Sequence, residues 1–133
     1  MATARQRQHD RPLRAWNETR QTTLVEHGRV ARTFWSRGRG LLGSKSLPPG
    51  DGLLIDRCSS IHSFGMQYPF DALFLNREGK VVHFVANMKA NRLSRHVFSS
   101  RAVLELPAGT IAASGTQHGD VIRWELATAR DTS

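Results

Sequence analysis

The sequence predicts a mainly β fold: a single-domain β-sandwich or partly open barrel of jelly-roll type, with one or two short helices. Three observations carry this expectation. Six or seven short apolar segments read as strands, each bounded by glycine, proline or asparagine turns. Only two short stretches carry helix-like spacing or punctuation. At 133 residues the chain can bury one hydrophobic core but not two.

Taken in order, residues 1–20 are expected to form a basic, disordered arm, with Trp16 its one aromatic residue. Residues 21–128 form the domain and 129–133 a short tail. Thr22 to Val30 reads as a first strand, interrupted by a turn signal at His27-Gly28. "ARTFWSRGRGLLG" places Phe34, Trp35, Leu41 and Leu42 at helix-like spacing. Gly38 and Gly40 each cost such a helix about 1 kcal/mol relative to alanine, so it should be short. "SLPPGDG" is a loop. "GLLIDR" is a short buried strand, and "SSIHSF" a further extended piece.

The clearest element is a hairpin from Phe70 to Met88. Its three-residue loop, Arg77-Glu78-Gly79, puts glycine where a type I turn plus bulge needs a left-handed residue. That loop predicts pairing of Leu75 with Val81, Leu73 with His83 and Asp71 with Val85. On this register Phe70, Ala72, Phe74, Val82, Phe84 and Ala86 form the core face, and Asp71 and His83 share the opposite one. "NMKANRLSRHVFSS" has little periodicity and reads as a loop. "RAVLELP" is a strand. "PAGTIAASG" opens on proline and closes on glycine, the punctuation of a helix of one or two turns. "HGDVIRWELA" supplies the last strand.

The formal net charge of +8 would suggest a nucleic-acid binder, but the charge is unevenly placed. Residues 1–45 hold ten Lys or Arg against three acids, a surplus of +7; residues 46–133 hold nine against eight, a surplus of +1. A basic arm attracts phosphates without sequence preference. No aromatic stacking platform accompanies it, so any nucleic-acid binding is expected to be weak. The N-terminus has no hydrophobic stretch, no segment is long enough to span a membrane, and one cysteine forms no internal disulfide. A cytoplasmic location without membrane contact is therefore expected.

Three chemistries deserve comparison. Cys58 and His62 are four residues apart, but on an extended segment that separates them by roughly 13 Å. No second cysteine or helical histidine pair completes a metal site, so none is expected. Cys58, His83 and Asp71 could serve as nucleophile, base and orienter of a hydrolase-like enzyme. No glycine-rich elbow surrounds Cys58, however, and a small buried hydrophobe explains it as well. "SRGRGLLG" lacks the spacing of a phosphate or dinucleotide loop, so no cofactor is expected.

Three blocks, "RTFWSRGRGLLGSKSLPPGDGLLI", "CSSIHSFGMQYPFDALFLNREGKVV" and "RAVLELPAGTIAASGTQHGDVI", closely resemble the prokaryotic family called domain of unknown function 192, over about residues 22–126. Phe64, Met66, Pro69 and Asp71 match its central block. Leu104 to Gly109, then Gly119 and Asp120, match its third. Many relatives carry tryptophan between the phenylalanine and methionine, where this chain has Gly65. The resemblance implies a jelly-roll β-sandwich with little helix, and it implies no reaction.

The function expected from the sequence is therefore a binding or accessory module for a small molecule or protein partner, with no catalytic residue assigned. Cys58, His62, Phe64, Met66, Asp71 and His83 are its candidate ligand-binding residues. Asp71 and the histidines would supply polar contacts, and Phe64 and Met66 an apolar wall.

Overall fold

The structure, a computed structural model, describes residues 12–31, 47–61, 63, 68–89 and 91–127. These residues form one mixed seven-stranded sheet curled into a half-barrel, with one short helix among them. The strands are β1 (Leu13–Asn17), β2 (Thr22–Ala31), β3 (Leu53–Asp56), β4 (Phe70–Leu75), β5 (Val81–Met88), β6 (Ala102–Pro107) and β7 (Ile122–Leu126), and α1 spans Thr110–Ser114. Their order across the sheet is β5-β4-β6-β3-β2-β1-β7. Among the described strands only β2 and β3 run parallel; every other pairing is antiparallel.

β4 explains why the sheet must curl. All six of its residues, FDALFL, are buried, so both faces of this strand are covered. Leu73 and Leu75 join Leu104, Leu106, Val25, Ile122 and the helix residue Ile111 in an inner core. Phe70, Ala72 and Phe74 join Leu53, Ile55, Val103, Cys58, Ile61 and Val97 in an outer core. The outer core is roofed by two irregular segments that bond each other: Ser94 N–H donates to the Ile61 carbonyl, and Val97 N–H to that of Ser59. Of "SSIHSF", Ser59, Ile61 and Ser63 thus contribute to this roof, and its described residues form no strand.

The two ends of the sheet meet at the β4–β5 turn. Ile122 N–H donates to the Gly79 carbonyl and Val81 N–H to the Asp120 carbonyl, each at 2.8 Å. Gly79 has φ +82°, and a β-carbon there would lie 2.5 Å from the Ile122 carbonyl oxygen. Glycine is needed both for the left-handed turn and for the closure. A second tie joins β1 to the same corner. The Asp120 carboxylate accepts from Asn17 Nδ2 at 2.9 Å, Arg20 Nε at 2.6 Å and Gln117 N–H at 3.0 Å. Burial alone would raise the Asp120 pKa, but these donors outweigh it and hold the carboxyl below its ordinary value.

Several expectations need correction. Residues 13–17, assigned to the disordered arm, form β1, an interior strand between β2 and β7. Leu13 and Ala15 are fully buried, and an alternating five-residue strand flanked by arginines is easily read as a charged tail. The hairpin register also differs. Leu75 does pair with Val81, but His83 lies opposite Phe74, Phe84 opposite Leu73 and Val85 opposite Ala72. Irregularities at both ends of β5 insert extra residues, and each one shifts which face later side chains occupy. Phe84 and Ala86, expected in the core, are exposed as a result. The helix expected over "ARTFWSRGRGLLG" lies outside the described residues, apart from Ala31 at the end of β2.

The closure yields a direct test. Gly79→Ala is expected to lower the unfolding free energy by about 2 kcal/mol or more, because it adds left-handed strain and a steric clash. Urea denaturation followed by tryptophan fluorescence measures this; a loss under about 0.5 kcal/mol would mean that the corner is dispensable.

Candidate functional site

Asp71 occupies the inner face of β4, and its carboxylate is fully committed. Oδ1 accepts the Asn87 N–H and Oδ2 the Ile111 N–H, both at 2.8 Å. Asn87 has φ +57° and belongs to the bulge opposite Asp71. Ile111 belongs to the first turn of α1, whose N-cap, Gly109, offers no side-chain cap. One carboxylate therefore satisfies two backbone donors, the Ile111 N–H buried and the Asn87 N–H partly so.

β4 pairs regularly with β6 along its length, so Asp71 and Phe74 project to opposite faces. His83 lies on the Phe74 side, with ring centroids 5.2 Å apart. The expected pairing of Asp71 with His83 is therefore not formed, and the Cys58-His83-Asp71 arrangement has no orienting carboxylate. Cys58 is buried in the outer core, its Sγ 3.0 Å from the Ser60 carbonyl oxygen. Its backbone is held by the Arg101 carbonyl and the Ser100 hydroxyl. His62, Phe64 and Met66 lie outside the described residues. Among the described residues no three of His, Cys, Asp and Glu come together in a metal-holding group.

Two features stand out that the sequence reading did not single out. The first is a groove of about 410 Å³ between the end of β5 and the loop that follows. Val85, Asn87 and Met88 of β5 line it together with Lys89, Arg92, Leu93, Ser94 and Arg95 of the loop. Lys89, Arg92 and Arg95 make no ion pair among the described residues. Leu93 is 69% exposed. The loop is pinned from below by Ser63, whose hydroxyl accepts the Arg92 N–H at 2.9 Å and donates to the Lys89 carbonyl. His83, beside this region, has its pKa lowered first by burial and then by the positive charges of Arg95 and His118. The sequence held a signal for this groove. Residues 79–104 contain five Lys or Arg and no acid, a block that averaging over 46–133 conceals.

The second feature is Glu105. It lies on the outer face of β6, flanked by Leu53 of β3 and Ala72 of β4. It is buried, no hydrogen bond satisfies its carboxyl among the described residues, and desolvation raises its pKa to about 8. At neutral pH it is a neutral acid in an apolar setting.

The comparisons with known proteins agree with this architecture. The family model DUF192, described as an uncharacterized ACR, matches residues 15–124. The chain belongs to the DUF192 family. The match begins at residue 15, within β1. A UPF0127 protein of Thermococcus gammatolerans is 30% identical over 125 residues, covering 88% of this chain and 78% of that one. Two solved structures share the fold. One is a protein of unknown function from Novosphingobium aromaticivorans, with TM-score 0.74 and 22% identity, covering 85% of this chain and 84% of that one. The other, from Sinorhizobium meliloti, has been proposed to be a transcription regulator. Its TM-score is 0.71 at 24% identity, covering 86% of this chain and 92% of that one. No helix among the described residues is long and apolar enough to cross a membrane.

Two predictions follow from the buried carboxylates. Asp71→Ala leaves two backbone donors without their acceptor and should cost on the order of 2–5 kcal/mol in urea denaturation; a loss below about 1 kcal/mol would contradict that role. Glu105 binds its proton more tightly folded than unfolded. Its contribution to stability is thus present below pH 4.5 and lost as pH rises toward about 8. The loss should amount to a few kcal/mol. His83, with its lowered pKa, acts in the opposite sense and is common to wild type and Glu105→Gln. The stability of wild type relative to Glu105→Gln should therefore fall between pH 5 and 8, and parallel profiles would refute the assignment.

Proposed function

We propose that this DUF192 protein is a non-catalytic binding module, and that its ligand is anionic and sits in the groove beside β5. One observation carries the reading: Lys89, Arg92 and Arg95 line a single groove of about 410 Å³ without an ion-pair partner among the described residues. Like charges held on one short loop repel one another, and an anion relieves that repulsion while gaining charge-assisted hydrogen bonds. The volume is that of a small-ligand pocket, and its exposed leucine also suits a protein surface. The 26-residue stretch without acids, residues 79–104, supports the same reading.

A role through binding accords with what has been proposed for the Sinorhizobium meliloti neighbour, which shares only the fold. The candidates expected from the sequence have other functions in this reading: Asp71 supports the backbone, and Cys58 packs the outer core.

Citrate tests the proposal. Titrated into isotopically labelled protein at low salt, it should shift the backbone amides of residues 85–95 and saturate. In the double variant Arg92→Glu, Arg95→Glu the affinity should drop at least tenfold, consistent with the loss of two charge-assisted contacts. Shifts confined to other parts of the chain, or unchanged affinity in the variant, would overturn the assignment.

A further inference from the structure

We infer that the ligand of this groove is a short, extended, acidic polypeptide segment that adds to the outer edge of β5 as an eighth strand. The inference rests on the anion-binding reading above and specifies its ligand. Among the described residues β5 is the end strand of the sheet and pairs only with β4. Its first residue, Val81, is tied on the outer side to Gly119 and Asp120. From Val82 onward no backbone partner meets that side among the described residues. An open edge offers alternating N–H and C=O groups, which an extended peptide satisfies.

The groove lies against this edge. Val85, Asn87 and Met88 belong to β5 itself, so a strand laid along the edge would run between them and the loop. That loop is anchored to the backbone of Ile61 and the side chain of Ser63. Ser94 N–H donates to the Ile61 carbonyl, Ile61 N–H to the Ser94 hydroxyl, and Arg92 N–H to the Ser63 hydroxyl, all at 2.9 Å.

Charge selects the occupant. A second copy of this chain approaching edge to edge would bring the same cations against Lys89, Arg92 and Arg95 and be repelled. An acidic segment is attracted by the same groups. A nucleic acid would meet the charge but find no aromatic side chain among the groove's described lining residues on which to stack a base. The exposed Leu93 instead suits an apolar residue between acidic ones. The irregularities of β5 at Val82 and at Ala86-Asn87 leave only His83, Phe84 and Val85 as a regular run. The docked segment is accordingly short, a few residues long, and binding should be modest and salt-sensitive.

The test uses the full chain and a fluorescein-labelled hexapeptide alternating glutamate and valine. Two further versions carry N-methyl groups on alternate residues, one on the glutamates and one on the valines, removing the donors of one peptide edge at a time. Strand addition predicts that the unmodified peptide binds by fluorescence anisotropy. One methylated version should bind at least tenfold more weakly, and the other nearly as well. Amide exchange of residues 83–85 should slow in the complex, and the Arg92→Glu, Arg95→Glu variant should lose at least tenfold in affinity. Equal binding of all three peptides, or tighter binding of an oligonucleotide of equal charge, would overturn strand addition. Neither result would affect citrate binding in the groove. Failure of both peptide and citrate to bind would remove the anion-binding reading as well.

Discussion

The fold depends on closing the sheet at one corner, where the β4–β5 turn meets the start of β7. β4 must be covered on both faces, because phenylalanines project from one side and leucines from the other. A flat sheet of this size would leave one of those faces to water. Curling brings β1, β2, β7 and α1 over the leucine side, and the loops of residues 58–61 and 91–97 cover the phenylalanine side. The backbone bonds from Ile122 to Gly79 and from Val81 to Asp120 hold that curl in place. Asn17, Arg20 and Thr116 reinforce it around Asp120 across a sequence separation of about one hundred residues.

Two buried carboxyl groups on neighbouring strands show how local surroundings assign different roles to the same chemistry. Asp71 faces inward and meets two backbone donors at hydrogen-bonding distance, so its burial is compensated. Glu105 faces outward between Leu53 and Ala72, meets no donor among the described residues, and retains its proton instead. The first group holds a bulge and a helix together. The second carries a standing penalty within the outer core, a penalty that changes with pH.

The bulges of β5 link the architecture to the proposed binding. They turn His83 away from Asp71, expose Phe84 and Ala86, and leave a short regular run on an open edge. Bulges and cations along such an edge are also the ordinary means by which proteins avoid pairing with copies of themselves. In this protein the same charges would set which strand is admitted, since repulsion of a basic or neutral strand and attraction of an acidic one have a single cause.

The sequence by itself determined the mainly β class, six of the seven strands, the short helix after Pro107 and the Gly79 turn. Each of these is written in local periodicity, or in a residue whose backbone needs are specific. It also carried the block of residues 79–104 without acids, visible only when charge is read in short windows. Tertiary structure alone decided that residues 13–17 sit inside the sheet, because an interior strand is defined by its neighbours on both sides. It alone decided the sidedness of β5, since one inserted residue reverses every later side chain and leaves no mark in an apolar alternation. The separation of Asp71 from His83, the isolation of Glu105 and the gathering of Lys89, Arg92 and Arg95 around one groove are decided in the same way. All depend on which strands lie side by side, and hydrophobic patterning along the chain does not encode that.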